Sequence, residues 1–144
     1  MNNALAPYLT VRDTDAAIAF YEAAFDGTAV GPRLVMNDHV VHHELRIGGA
    51  TVMLADEAEA FGTSSPATLG DTPVRLALNV EDVDAVFEKA VQAGAKALIE
   101  PADQFYGQRA ARIEDPFGHV WIISATIEAL SEAEMQRRLD EMIG

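Results

Sequence analysis

The sequence contains no cysteine. Disulfides, thiolate metal sites and thiol nucleophiles are therefore excluded. Long apolar runs are also missing. None approaches the roughly 20 residues that a membrane-crossing helix needs. The start, Met1-Asn2-Asn3-Ala4-Leu5, lacks the basic and apolar regions of a secretory leader. Basic residues are scarce: 10 Lys plus Arg stand against 23 Asp plus Glu, giving a net charge of −13. Such a surface repels phosphate backbones and anionic lipid. Neither nucleic acid nor membrane is expected as a partner, and a cytoplasmic location is expected. No glycine-rich phosphate loop is found. Ser64, Ser65, Ser124 and Ser131 lack the glycine elbow of a nucleophilic serine.

What is present is a repeat. Val11-Arg12-Asp13-Thr14-Asp15-Ala16 returns as Val80-Glu81-Asp82-Val83-Asp84-Ala85, 69 positions later. The same shift carries Leu9 onto Leu78 and Gly49 onto Gly118. A constant shift over that span indicates one structural unit used twice. At 144 residues and 49% hydrophobic composition, the chain suits one domain of two small modules.

Each copy opens with a short strand whose residues alternate between apolar and more polar. In the first, Tyr8, Thr10 and Arg12 alternate with Leu9 and Val11. In the second, Arg75, Ala77 and Asn79 alternate with Leu76, Leu78 and Val80. An amphipathic helix follows each. The first starts near Asp13 or Thr14, carries Ala17, Ile18, Tyr21 and Phe25, and ends at Asp26-Gly27, with Gly27 suited to a left-handed cap. The second starts near Asp82, carries Val83, Val86, Phe87 and Val91, and ends at Ala93-Gly94. Three strands then follow in each copy, near 28–36, 39–48 and 50–55, and near 96–101, 107–114 and 118–124. Asn37-Asp38 and Gly48-Gly49 read as hairpin turns, and Asp115-Pro116-Phe117-Gly118 as a further turn.

This predicts an α+β fold of two tandem βαβββ modules, at about 6–55 and 74–125, whose curved sheets form a cup. Residues 56–73 join them, rich in Ser, Thr, Gly, Pro and acidic residues and without periodicity; they read as a surface linker or a lid. A last helix spans 131–143. Ser131-Glu132-Ala133-Glu134 has the form of a capping box. Its apolar stripe, Met135, Leu139, Met142 and Ile143, is expected to pack on the sheet or at a dimer contact.

Two tandem units of this pattern resemble the vicinal oxygen chelate superfamily, which includes glyoxalase I, extradiol dioxygenases and the bleomycin- and fosfomycin-resistance proteins. The carrying residues are Tyr8-Leu9-Thr10-Val11-Arg12-Asp13 with Ala19-Phe20-Tyr21, then Val80-Glu81-Asp82-Val83, then Asp115-Pro116-Phe117-Gly118-His119-Val120-Trp121. The stretch Asp103-Gln104-Phe105-Tyr106-Gly107-Gln108-Arg109 looks like the PhnB-like branch. The resemblance implies a homodimer. In metal-dependent members, it also implies four ligands from the first and last strands of each module. Those positions fall at Ala6, Met53, Arg75 and Ile122. Alanine and isoleucine offer no donor, methionine only a thioether, and arginine a fixed positive charge. The inherited metal site is therefore expected to be lost, and no cofactor is expected.

His39, His42, His43 and Glu44 form the only other concentrated set of possible ligands. On a strand, His42 and Glu44 share the face of Val40 and Arg46, while His43 points with Val41, Leu45 and Ile47. Two donors on one strand are too few for a metal. Arg75 turns toward the cup with Asn79, where its guanidinium needs a counter-charge. Either Glu44 or an anionic group on a ligand would supply it. Trp121 and Ile123 are expected on the helix-facing side, in the core. Phe105 and Tyr106 fall at the rim, with Arg109 and Arg112 near it. The repeat shift and the apolar alternation disagree about strand 107–114, which predicts a bulge.

The expected ligand-binding residues are Tyr8, Thr10, His42, Glu44, Met53, Arg75, Asn79, Phe105, Tyr106 and Ile122. Their mixed apolar and polar character suits a small-molecule pocket. The expected function is metal-independent binding of an aromatic or anionic compound. The alternative is a lyase, isomerase or dioxygenase-type enzyme with a non-standard metal or acid–base site. A degenerate scaffold acting through protein contacts is the third reading.

Overall fold

The computed structural model describes residues 3–144. Strand β1 (Tyr8–Val11), helix α1 (Thr14–Phe25) and strands β2 (Thr28–Met36), β3 (His39–Ile47) and β4 (Ala50–Asp56) make the first module. A 3-10 turn (Glu59–Phe61) and the short helix α2 (Pro66–Leu69) follow. The second module is β5 (Arg75–Asn79), α3 (Val83–Gln92), β6 (Lys96–Asp103), β7 (Gln108–Glu114) and β8 (Val120–Thr126), and α4 (Glu132–Ile143) ends the chain. The expected α+β pair of modules with a terminal helix is what the chain forms.

The strands make two separate four-stranded sheets, in the orders β1-β4-β3-β2 and β5-β8-β7-β6. The pair β1–β4 is parallel, as is β5–β8; the rest are antiparallel. The 69-residue repeat is a repeat of register. Tyr8 lies opposite Met53, and 69 positions on, Ala77 lies opposite Ile122. The third strands break the rule. Glu44 pairs with Met53, but Arg112, only 68 positions after Glu44, pairs with Ile122. The β7–β8 connection spans five residues, 115–119, against the two of Gly48-Gly49, and the register of β7 is shifted by one relative to the repeat. This resolves the expected conflict over strand 107–114: Ala111 and Ile113 face the core, and Arg112 faces outward. The bulges sit on the edge strands' pairings instead, at β2–β3 and β6–β7. Pro32 and Pro101 lie on β2 and β6, where edge position tolerates the missing N–H.

Local chemistry explains the boundaries. Asp13 and Asp82 cap α1 and α3 by accepting from the N–H groups of Ala16 and Ala85, both at 3.0 Å. Asn37 and Asp38 both take positive φ, 51° and 65°, as a two-residue hairpin turn requires. One cap differs from expectation. Asp26, not Gly27, takes the left-handed conformation at the end of α1, with φ 56°. Gly27 is small for another reason: a Cβ there would sit 3.1 Å from the Leu45 side chain.

Both modules bury the same face against one core. Leu9, Val11, Leu45, Val52 and Leu54 of the first sheet join Ile113, Trp121 and Ile123 of the second around Ile18, Tyr21 and Phe25 of α1. Phe25 and Tyr21 stand with ring centroids 4.8 and 5.3 Å from Trp121, so the expectation of a core Trp121 holds. The other face of each sheet turns away from this core. No helix is long and apolar enough to cross a membrane among the described residues.

The connection after β4 is more ordered than expected. Asp56 belongs to β4, and Ala58 bridges to Thr63 across the 3-10 turn. Ser65 caps α2, and Glu57 accepts from the Ser65 N–H and the Thr68 hydroxyl, both at 2.9 Å. Gly118 packs on α2 so closely that a Cβ would fall 2.8 Å from Pro66. On α4, Ser131 accepts from the Glu134 N–H at 3.1 Å. Met135 and Leu139 are half-buried, but Met142 and Ile143 are exposed.

Candidate functional site

The expected site residues divide between the two outward faces. Tyr8, Thr10, His42, Glu44 and Met53 lie on the first sheet. Arg75, Asn79, Ile122 and Tyr106 belong to the second, with Phe105 edge-on to Tyr106 at 5.1 Å. Among the described residues, the two principal cavities on these faces are each lined by one group and not the other.

The first face holds the more enclosed space, a cavity of about 370 Å³. Tyr8, Thr10, Val41 and Ala55 form its wall on the strands, and Ala58, Phe61 and Thr63 close it from the connection. The stretch read as linker or lid therefore contributes lining. Phe61 remains more than half exposed. His39, Val41 and Asp56 also line the cavity and are absent from the expected set. Val41 escaped because alternation along β3 puts it with Leu45. In the structure Leu34 pairs with His42 and Val35 with Val40, leaving Val41 as an extra residue. This bulge reverses the alternation: Val40 is buried at 4% exposure, and Val41 reaches the cavity. Apolar alternation carries no signal for such a bulge.

Three expected residues are hydrogen-bonded in series. Tyr8 Oη lies 2.7 Å from His42 Nδ1, and His42 Nε2 lies 2.9 Å from Glu44 Oε2. Burial and the nearby Glu44 carboxylate both raise the Tyr8 pKa, so the phenol stays protonated. Each oxygen of Asp56 is tied to the backbone. It accepts from Thr14 N–H at 2.9 Å and Val40 N–H at 3.0 Å.

The second face is shallower. Ile99, Gln104, Tyr106, Arg112 and Ile122 border a cavity of about 130 Å³. Arg75 lies opposite the core-packed Leu76 and Leu78, as alternation places it, but it is exposed rather than turned into a cup that demands a counter-charge. The expected pairing of Arg75 with Glu44 does not form within the chain; Glu44 accepts from His42, and Arg75 is exposed. Among the described residues neither Arg75 nor Arg112 makes an ion pair. Arg109 is not at the rim. It clamps α3 to β6, donating to Asp84 at 2.7 and 2.8 Å and to Asp103 at 3.0 Å. These bonds hold the Asp84 carboxyl below its usual range. Asn79 Oδ1 accepts from the Ser124 hydroxyl at 3.0 Å.

The residues do not fit a divalent ion. Ala6, Met53, Arg75 and Ile122 supply no hard donor. Among the described residues no three His, Asp or Glu side chains are grouped to share an ion.

The repeated strand–helix–three-strand register is that of a known family, whose model, the Glyoxalase/Bleomycin resistance protein/Dioxygenase superfamily, matches residues 3–123. The chain belongs to this superfamily. An uncharacterised protein of Mycobacterium bovis is 40% identical over 136 residues, covering 92% of this chain and 90% of the relative. The crystal structure of an Arabidopsis thaliana gene product matches with a TM-score of 0.69 at 26% identity, over 86% of this chain and 99% of that one. The fosfomycin resistance protein FosX of Mesorhizobium loti shares the fold, with a TM-score of 0.65 at 16% identity, over 92% and 98% of the two chains. Superfamily membership sets the architecture and leaves the chemistry to the two faces, since one fold hosts many functions.

Proposed function

We propose that this superfamily member is a metal-independent small-molecule binding protein of the PhnB-like branch, working as a homodimer. Its site would form between the first-sheet face of one copy and the second-sheet face of another. The observation that carries this reading is the opposite charge at one repeat-equivalent position of the two faces. Glu44 on β3 corresponds to Arg112 on β7, as the register of their partners Met53 and Ile122 defines. Arg75 adds a second positive charge, and Asp56 a second negative one.

Apolar exposure supports the same pairing. Tyr8, Leu34 and Met36 on the first sheet are about half exposed, as is Ile99 on the second. Soluble monomers rarely leave such area open. Bringing the faces together would let Glu44 of one copy meet the arginines of the other. It would also enclose an aromatic or anionic compound between the 370 Å³ cavity and Tyr106.

The test is a thermal-shift screen of aromatic antibiotics and organic anions, run with and without EDTA. Stabilisation by at least one compound, unchanged by chelation, is expected. Stabilisation that disappears with EDTA and returns with added metal would contradict metal-independent binding. So would one equivalent of Ni, Zn, Fe or Mn retained after dialysis.

A further inference from the structure

The series Glu44, His42, Tyr8 has a direction. A carboxylate only accepts, so His42 Nε2 carries the hydrogen in the 2.9 Å bond to Glu44. In the neutral ring Nδ1 is then an acceptor, and it faces the Tyr8 hydroxyl at 2.7 Å. The second neighbour of that hydroxyl is the Val41 carbonyl oxygen at 3.3 Å, also an acceptor. Either way, the single phenolic hydrogen of Tyr8 is spent inside the protein. What Tyr8 offers the cavity is its oxygen lone pair. Hydrogen bonds aligned toward one carboxylate polarise each other, which strengthens the terminal oxygen as an acceptor.

The rest of the wall adds few competing polar groups. Val41, Ala55, Ala58 and Phe61 are apolar, each Asp56 oxygen already accepts a backbone N–H, and the Thr63 hydroxyl is bound to the Ala58 backbone, which leaves Thr10 and His39 as the other polar side chains of the wall. Glu44 and Asp56 also make the site inhospitable to an anion at this end. We infer that the first-face cavity selects a neutral aromatic molecule bearing a hydroxyl group, which donates its hydrogen bond to the Tyr8 oxygen held in place by His42 and Glu44. This rests on the reading of the cavity as a ligand site and names the ligand class for it. His42 and Glu44 act through Tyr8 and are positioning residues.

The test uses two probes of the same shape, 2-naphthol and 2-methoxynaphthalene, titrated into the full-length protein at neutral pH. The native protein is expected to bind the naphthol about ten-fold more tightly, as one well-formed hydrogen bond allows. Tyr8→Phe should bind both probes equally while keeping the affinity for the ether. His42→Leu leaves the phenolic hydrogen only the longer contact to the Val41 carbonyl at 3.3 Å and takes the Tyr8 oxygen out of the series with Glu44, so the preference for the naphthol should narrow. Equal binding of the two probes by the native protein would overturn the inference. So would a preference that survives in Tyr8→Phe. Both results leave the cavity as a ligand site. Failure of the naphthol to bind at all would overturn the cavity's aromatic ligand, and the hydroxyl preference with it.

Discussion

The Tyr21 hydroxyl of the first module donates to the Asp115 carboxylate of the second. Asp115 is 2% exposed, and its remaining donors are Trp121 Nε1 at 2.9 Å and the N–H groups of Phe117 at 2.9 Å and His119 at 3.0 Å. A buried carboxylate is tolerated only when its oxygens are satisfied in this way. The turn that reads as Asp-Pro-Phe-Gly in the sequence is therefore also the bolt between modules. Tyr21→Phe removes one hydrogen bond to a charged group. It is expected to lower unfolding free energy by about 1.5–3 kcal/mol. Urea denaturation checks this as a lower midpoint at unchanged slope.

The same pair sets an alkaline limit. Burial first, and then the Asp115 charge, push the Tyr21 pKa well above its ordinary 10.0. A raised folded-state value favours the protonated form. The stabilisation is complete below pH 10 and is lost as pH rises from there toward the folded-state value. The native protein should lose stability steeply above pH 10. In Tyr21→Phe that component of the slope should vanish, as thermal melts across the alkaline range will show.

Gly118 combines φ 92° with a gap too small for a Cβ beside Pro66. Gly118→Ala therefore strains the turn and pushes α2 away. A loss of about 1–3 kcal/mol is expected, measured by chemical denaturation. A substitution at Gly49, the repeat-equivalent glycine, meets open space and should cost less.

Much of this was legible in the sequence. The repeat, the alternation of β1 and β5 and the aspartate caps gave the modules, the core position of Trp121 and the outward face of Arg75. The failures share one cause: strand geometry that no periodicity records. The bulge at Val41 moved that residue to the cavity, and the longer turn after β7 moved Arg112 to the outer face. The contribution of Phe61 depends on a connection folding back over β4, which composition alone reads as a linker. The pairing of Glu44 with His42 follows from strand alternation at i and i+2, yet a nearby arginine looked the better partner on charge alone.

If the two faces associate by charge, reversing one of them should keep them apart. The double substitution Arg75→Glu, Arg112→Glu places acid against Glu44 and Asp56. Sedimentation equilibrium should give the monomer mass of 15.5 kDa for this variant at concentrations where the native chain is dimeric. Added salt should weaken the native dimer, since exposed charges are screened. A native chain that stays monomeric at all concentrations would rule out the homodimer.

Complementation between two damaged chains tests the shared site most directly. Phe61→Asp spoils the first face only, and Tyr106→Asp the second face only. Each variant alone should fail to bind 2-naphthol. Mixed in equal amounts and allowed to exchange, they form hybrid dimers in which one site pairs two intact faces. Binding should return to about a quarter of native capacity, because half the dimers are hybrids with one good site of two. Binding that stays absent in the mixture, with hybrid dimers present by native mass spectrometry, would place the whole site within a single chain.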